Sequence, residues 1–473
     1  MKIGLIDPGS KKLLFNESFP HIGLAYIAAV LEGKGHDVKC LDVGLVGKKR
    51  TELFLKERYD LIGLSVTSFT LRDTWAMAEK IKALNKDTVV VLGGPHVPIG
   101  MEQNLECSYV DYAVYGEGER TMLELTETLK KESRDQLEHL SGVKGLIFRD
   151  GDEVVCNPPR PRIDNLDKLP YPAFHLFQME KYGTYPLFTS RGCPFGCSFC
   201  SIKAIWGTLW KRRAVENIIR EIEYAREKFD WIHKPFNIVD DTFNVLPRRV
   251  TDFCERLISS GMNIKWFSSG FRADRVPLEM AFKMKESGCI GVSVGIESAN
   301  DQILIRIKKK QTLAKCTEGC KNLSRAGIPV KAQFIIGNPG DTFQTVKESI
   351  EYARKERFAN SAFYLALPYP KTELWDYVKE HGTFLKEDYT QFHHFSDEPV
   401  FETPEFSAED RARAYRLGRK LELQTKIKQE LRTKFARIKR LDFQDLSTKR
   451  VIKAIARLNK YATELVLHKK EKV

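Results

Sequence analysis

The sequence predicts an α/β protein in three parts. A doubly wound, Rossmann-like domain covers 1–140, a partial (βα) barrel of the TIM type covers 181–385, and a helical basic C-terminal extension covers 386–473; a β-hairpin and proline-rich linker at 141–180 join the first two. Three observations predict this. Over the first third, short apolar strand-like segments alternate with helical patterns. After Cys200, strand and helix patterns repeat at roughly forty-residue intervals, the rhythm of consecutive βα units. The net charge of +13 is unevenly placed: 20 Lys and Arg stand against 6 Asp and Glu from Arg411 onward, which leaves a net of −1 in the residues before it.

The strands of the first domain fall at 2–6, 37–41, 61–66, 89–92 and 112–114, with helical patterns through 22–31 and 75–84. In a doubly wound sheet, ligands bind beyond the carboxyl ends of the strands. The loops there are Pro20-His-Ile-Gly-Leu24, Ser65-Val-Thr-Ser68, Gly93-Gly-Pro-His96 and Gly116-Glu-Gly-Glu119. Glycines admit a bulky ligand close to the backbone, and the hydroxyls of Ser65, Thr67 and Ser68 can hydrogen-bond a buried nucleotide-like tail. Gly93, Gly94, His96, Gly116 and Glu117 complete the candidate set. For His96 a buried structural histidine is the competing reading, and for Gly-Gly-Pro a plain turn. Residues 145–148 and 152–156 read as a hairpin closed by Asp150-Gly151, and the prolines from Pro158 to Pro172 make an extended linker.

The second unit opens on Arg191-Gly-Cys193-Pro-Phe-Gly-Cys197-Ser-Phe199-Cys200. Thiolates at C-x3-C-x2-C can hold three irons of a cubane [4Fe–4S] cluster from one tight loop, with Gly192, Pro194 and Gly196 letting the backbone wrap close. The missing fourth ligand leaves one iron open to a substrate. Zinc and three structural thiols are the alternatives; zinc asks for four ligands, and the nearest histidines, His175 and His233, are distant in sequence.

Further strands at 235–239, 264–269, 291–295, 331–336 and 361–367 carry polar residues at their carboxyl ends, where barrel active sites lie. Asp240 and Asp241 follow the second strand, with an N-cap for the following helix, at Asp241 or Thr242, as the alternative role. Arg272 follows the third, with a surface salt bridge as its alternative. Glu297 and Ser298 end the fourth, where a salt-bridged glutamate competes, and a turn at Gly337 ends the fifth. Cys254, Cys289, Cys316 and Cys320 lack a second ligand pair and read as buried thiols rather than an auxiliary cluster.

The cysteine loop, with Phe199 just before its last cysteine, resembles the signature of the radical S-adenosylmethionine (radical SAM) superfamily. Across 185–375, Asp240-Asp-Thr-Phe243, Gly295-Ile-Glu-Ser298 and Gly337-Asn-Pro-Gly-Asp-Thr342 follow in the order of that family's strand-end motifs. The loops of the first 135 residues resemble the cobalamin-binding domain that precedes many such cores. The resemblance implies a [4Fe–4S] cluster on Cys193, Cys197 and Cys200 with Phe199 beside it. It implies S-adenosylmethionine near Asp240, Asp241, Arg272, Glu297, Ser298 and Gly337, and cobalamin against Ser65, Thr67, Ser68, Gly93, Gly94, His96, Gly116 and Glu117. The Asp-x-His-x-x-Gly of cobalamin mutases does not occur, so the expected lower face of cobalt carries no histidine.

The activity so implied is reductive cleavage of S-adenosylmethionine to a 5′-deoxyadenosyl radical and C-methylation of an unactivated carbon through methylcobalamin. Cyclisation, rearrangement or carbon–carbon coupling in lipid or tetrapyrrole biosynthesis competes with it, as does a non-catalytic cobalamin and iron–sulfur sensor. A small-molecule or lipid substrate and an external one-electron reductant of flavodoxin or ferredoxin type are the implied partners.

Composition narrows the rest. With no run of 18 apolar residues and no leader-like start, the sequence predicts a cytoplasmic protein whose ten cysteines are ligands and buried thiols. In the extension, Leu417, Leu421, Ile427, Leu431, Phe435 and Ile438 form one helical stripe, and Ile452, Ile455, Leu458, Ala462 and Leu465 a second. A helix packed on the barrel with a solvated basic face competes with peripheral contact to an anionic membrane surface. Sparse aromatics among the basic residues disfavour nucleic acid.

Overall fold

A parallel sheet covered on both faces needs strands that are apolar along their length. In the computed structural model, which describes residues 1–9, 19–131, 136–393 and 396–439, such strands build the first sheet. They are β1 (Lys2–Asp7), β3 (Leu61–Ser65), β4 (Val89–Gly93) and β5 (Tyr112–Val114), with the more polar β2 (Asp37–Asp42) at the edge, all parallel, continued by the antiparallel β6 (Leu146–Asp150) and β7 (Glu153–Cys156). The spatial order is β2-β1-β3-β4-β5-β6-β7. β2 and β3 lie on opposite sides of β1, so the chain reverses its winding there, and the crevice at the carboxyl ends of β1 and β3 is the switch point where such sheets bind ligands.

The hairpin expected between the domains is instead the edge of this sheet, which carries the first domain past residue 140 to Cys156. Its turn also shifts by one residue. Asp150 pairs with Glu153, so the bend is Gly151-Asp152, with Gly151 at φ +61°, rather than Asp150-Gly151.

Six parallel strands in chain order form the second sheet: Tyr185–Leu187, Phe236–Ile238, Trp266–Phe271, Cys289–Glu297, Val330–Ile336 and Asn360–Leu365. Helices such as Val215–Phe229, Pro247–Ser259 and Phe343–Glu356 return the chain between them, giving an open (βα) barrel. Burial along Val330–Ile336 alternates strictly. Phe334 faces outward, 6.4 Å ring to ring from Tyr352 of the covering helix, so the half-buried Lys331, Gln333 and Ile335 face the barrel interior.

Residues Met1–Leu421 form one compact unit and Glu422–Val473 a second. The helix Ala408–Lys439 begins in the first. There Arg411, Ala414, Tyr415, Gly418 and Leu421 are buried, while Leu417, expected on the apolar stripe, is 40% exposed. The stripe turns because Gly418 allows a close approach to the last barrel strand: a Cβ at that position would stand 2.6 Å from the Phe363 ring. The side chains of Leu431, Phe435 and Ile438, the second stripe from Ile452 to Leu465, and with them the expected membrane contact, lie outside the described residues. Among the described residues no helix is long and apolar enough to cross a membrane.

Candidate functional site

The cysteine loop leaves the first barrel strand through Ser190–Arg191, which pairs with Lys211–Arg212. Gly192 takes φ +87°, and a Cβ on it would lie 2.3 Å from the Leu209 carbonyl, so only glycine lets the chain turn into the loop. Cys193, Cys197 and Cys200 are unpaired and half-buried. The loop is pinned by backbone bonds: Cys200 N–H donates to the Cys197 carbonyl (3.1 Å), Ser198 N–H to the Ile307 carbonyl (3.0 Å), and Leu374 N–H to the Ser198 carbonyl (3.0 Å). Phe199 packs behind the loop against Ile303, Leu304 and Ile307. Burial pushes the Cys200 thiol up to about 12 and raises Cys197. Bare thiolates are therefore disfavoured here, and a bound cation is what makes them stable. Three thiols presented from one loop suit a cubane, which takes each thiolate on its own iron.

At the strand ends most of the expected ligand contacts turn out to be internal. Asp240 is buried and accepts from Thr189 N–H (2.6 Å), the Thr189 hydroxyl (2.5 Å) and the Ser190 hydroxyl (2.6 Å). Its carboxylate braces the start of the cysteine loop and is not open to a ligand. Asp241 keeps one oxygen on Gly192 N–H (2.9 Å), and burial lifts its carboxyl to about 6. Neither Asp241 nor Thr242 caps a helix: Thr242 heads the short turn Phe243–Val245 without a side-chain cap bond, and its hydroxyl lies 3.4 Å from Cys193 Sγ.

Arg272 is neither a surface salt bridge nor a free ligand partner. It is buried, forks onto Asp274 (2.9 and 3.1 Å), donates to the Lys309 carbonyl (2.9 Å), and stacks 3.9 Å from the centre of the Phe195 ring in the cysteine loop. Glu297 sits at φ +67° and accepts from Lys309 Nζ at 2.7 Å, which is the salt-bridged alternative. Ser298 is buried and accepts from Asn300 N–H (3.2 Å). Gly337, at φ +95°, donates through its N–H to Asp341 (3.1 Å), and its carbonyl accepts from Arg411 (3.3 Å).

Besides the Asp241 carboxylate, the barrel mouth leaves neutral groups open. The buried Ser198 Oγ, Gln311 Oε1 and Asn338 Oδ1 have no partner in the protein, although the amides of Gln311 and Asn338 are anchored through their NH₂ groups on the Ile296 and Ile335 carbonyls. Orphaned dipoles in the cysteine loop and at the ends of the fourth and fifth strands fit a polar, charged ligand. Sequence reasoning missed Ser198, Gln311 and Lys309. Lys309 stands in Lys308-Lys309-Lys310, which reads as a solvated charge run, and only the fold shows that its middle member is buried.

The first domain offers a different space. At its switch point lies a cavity of about 350 Å³. Ser65, Gly93, Gly94, Gly116 and Glu117 line it, together with apolar side chains such as Leu5, Val91 and Met122. Gly94 takes φ +115°, and a Cβ there would meet the Val66 carbonyl at 2.7 Å. His21, also on the wall, accepts Leu24 N–H at Nδ1 (3.1 Å) and stands 2.7 Å from Ser65 Oγ through Nε2. The first bond assigns the proton to Nε2, so the imidazole offers no free lone pair.

Thr67, Ser68 and His96 do not line the cavity. Thr67 forms a capping box with Thr70. His96 is fully buried beside Ser68 Oγ (3.0 Å) and under Gly100, where desolvation lowers it to about 4 and keeps it neutral. Glu117 is on the wall but engaged with Arg191 (3.0 Å) and Ile163 N–H (2.5 Å). The cavity's opposite wall comes from the cysteine loop and the helix after it, through Arg191, Ile202, Ile205 and Trp206. An apolar, glycine-edged space of this shape fits a bulky group with a buried tail.

Known proteins match in the same two places. The model of the B12 binding domain matches residues 15–126, and that of the radical SAM superfamily matches residues 187–379. An uncharacterized methyltransferase of Pyrococcus horikoshii is 33% identical over 421 residues, covering 86% of this chain and 89% of that protein. The anaerobic magnesium-protoporphyrin IX monomethyl ester cyclase of Rubrivivax gelatinosus is 26% identical over 472 residues, covering 92% and 83%. In fold, the chain is similar to the radical S-adenosylmethionine methyltransferase TsrM of Kitasatospora setae, solved with cobalamin and a [4Fe-4S] cluster bound, with a TM-score of 0.67 at 19% identity over 80% of this chain and 78% of that one.

Proposed function

Because the chain belongs to the radical SAM superfamily and carries a B12 binding domain, we propose that it methylates an unactivated carbon of a small molecule. Its cofactors are a [4Fe–4S] cluster, S-adenosylmethionine and cobalamin, which when bound supply reductive cleavage of a carbon–sulfur bond, hydrogen abstraction from carbon and a methyl donor. Like radical SAM enzymes in general it uses an external reductant, for which we favour a flavodoxin or ferredoxin.

The protein's own part is placement. Cys193, Cys197 and Cys200 hold the cluster, Ser198, Asp241, Gln311 and Asn338 receive S-adenosylmethionine, and Ser65, Gly93, Gly94 and Gly116 admit cobalamin. Asp240, Arg272 and Glu297 hold this scaffold in shape.

The observation that carries the reading is the shared wall: the carboxyl edge of the first sheet and the cysteine loop enclose one cavity. A group held there would be bounded by the cysteine loop itself, through Arg191 and the helix residues Ile202, Ile205 and Trp206. His21 supports methyl transfer: it is the histidine among the residues that line the cavity, and its lone pair is engaged by Leu24 N–H, so it would not be a cobalt ligand.

The test is anaerobic reconstitution with iron, sulfide and hydroxocobalamin, then methyl-labelled S-adenosylmethionine, a strong reductant and candidate tetrapyrroles and lipids. The expected result is 5′-deoxyadenosine together with a product carrying one labelled methyl carbon, both absent in Cys197→Ala. Turnover to a product with an unchanged carbon count would overturn methylation in favour of cyclisation, the reading that similarity to the Rubrivivax cyclase supports.

A further inference from the structure

One side chain joins the two halves of the site. Arg191, two residues before Cys193, is 5% exposed. Its guanidinium fork meets two carboxylates of the first domain, donating from Nη1 to Glu117 (3.0 Å) and from Nη2 to Glu119 (2.6 Å), and stands 5.1 Å over the Tyr26 ring. Tyr26, Glu117, Glu119 and Arg191 all line the cavity. Behind them Glu117 also meets Arg162 (3.8 Å), which donates to the carbonyls of Trp206 (3.0 Å), Leu209 (2.9 Å) and Arg191 itself (3.4 Å). The next residue, Gly192, donates to Asp241. Two acids and two arginines, balanced in charge, thus run from the cavity wall into the cysteine loop through charge-assisted bonds whose planar geometry fixes position.

We propose that Arg191, held by Glu117 and Glu119, is a positioning residue that couples the cobalamin cavity to the cluster loop, so that filling the cavity shifts the reduction potential of the cluster. This rests on the reading of the cavity as the cobalamin site. A ligand in the cavity bears on Tyr26, Glu117 and Arg191, and reduction of the cluster adds a negative charge near the same arginine. By linkage, cobalamin affinity differs between oxidised and reduced protein by the factor that the potential reports, a tenfold ratio being 59 mV for one electron.

The experiment is a redox titration of the reconstituted protein, followed by electron paramagnetic resonance of the reduced cluster, with and without the zinc-centred, redox-inert analogue of cobalamin. Wild type is compared with Glu119→Gln and Arg191→Lys. The expected result is an affinity ratio of about tenfold in wild type, reduced more than half in variants that still hold cluster and analogue. A wild-type protein that binds both without a shift, or a shift that persists in full in both variants, overturns the coupling and leaves the cofactor reading intact. A wild-type protein that takes the cluster but neither the analogue nor hydroxocobalamin overturns both. If Glu119→Gln does not accumulate as folded protein, Arg191→Lys, which keeps the charge and loses the fork, decides the matter.

Discussion

The barrel mouth and the first-domain cavity receive ligands by opposite means. At the barrel mouth almost every charge is matched within the protein: Asp240 by three donors, Arg272 by Asp274 and a backbone carbonyl, Glu297 by Lys309. Among the described residues the groups left without a partner there include the hydroxyl of Ser198 and the side-chain oxygens of Gln311 and Asn338, and Asp241 is held through one oxygen by Gly192 N–H. The cavity is of another kind: its lining is largely apolar with glycines among it, and its charged residues Glu117, Glu119 and Arg191 are paired with one another where the first domain meets the cysteine loop. On the proposed assignment S-adenosylmethionine would be met by fixed dipoles, which need no rearrangement when it binds. A bulky ligand is met by absent side chains, so its site is defined by shape.

Each prediction breaks one side of this contrast. The largest effect falls on the cysteine loop: Cys197→Ala removes one of three thiolates and is expected to abolish iron–sulfur absorbance and deoxyadenosine formation while leaving cobalamin retention in place. Next is Lys309→Met, which strands the buried Glu297 carboxylate; the expected loss is about 3–5 kcal/mol in chemical denaturation, and Glu297→Gln in the same background should restore part of it.

Asp241→Asn comes third and is a matter of pH. The carboxyl is raised to about 6 by burial, so its contribution to stability is full below the ordinary carboxylate range and is lost as pH rises through about 6. The asparagine variant, neutral throughout, should therefore gain on wild type by about 2 kcal/mol between about pH 4 and 7 once partial exposure is allowed for, measured on the cluster-free protein.

On the cavity side, Gly94→Ala forces a side chain into φ +115° against the Val66 carbonyl and is expected to cost about 1–3 kcal/mol and to release cobalamin on gel filtration. The smallest effect sharpens the contrast most. Ser65→Ala should weaken cobalamin about fivefold, through roughly 1 kcal/mol of lost hydrogen bonding, whereas Ser68→Ala, whose hydroxyl faces His96 outside the cavity, should leave retention unchanged.

Strand positions and the cysteine loop were legible because local periodicity and spacing encode them. Partners were not. Asp240, Arg272 and Glu297 stand at strand ends where ligands bind, yet apart from the local Arg272–Asp274 pair they bond to Thr189, Lys309 and Lys309 respectively, 51, 37 and 12 positions away, and no local pattern announces such pairings. Ser65 and Ser68 are three residues apart in one loop, but the chain turns between them, so one faces the cavity and the other the histidine beneath. Gly418 shows the same limit from the other side: of the apolar stripe expected on this helix Leu421 is buried but Leu417 is exposed, because a missing side chain at Gly418 set the docking.

Arg411 bears on where this chain can be shortened. From the first turn of the C-terminal helix it is held between the Phe401 and Phe406 rings (4.1 and 4.8 Å) and reaches the Gly337 carbonyl. A fragment ending at residue 379, where the superfamily match stops, would lack this strut, and its fifth strand-end turn would stand without its outer support. A fragment ending at Leu421 would keep Arg411 and Gly418 while shedding most of the basic segment. The smallest unit worth expressing for chemistry is thus set by one arginine beyond the matched core.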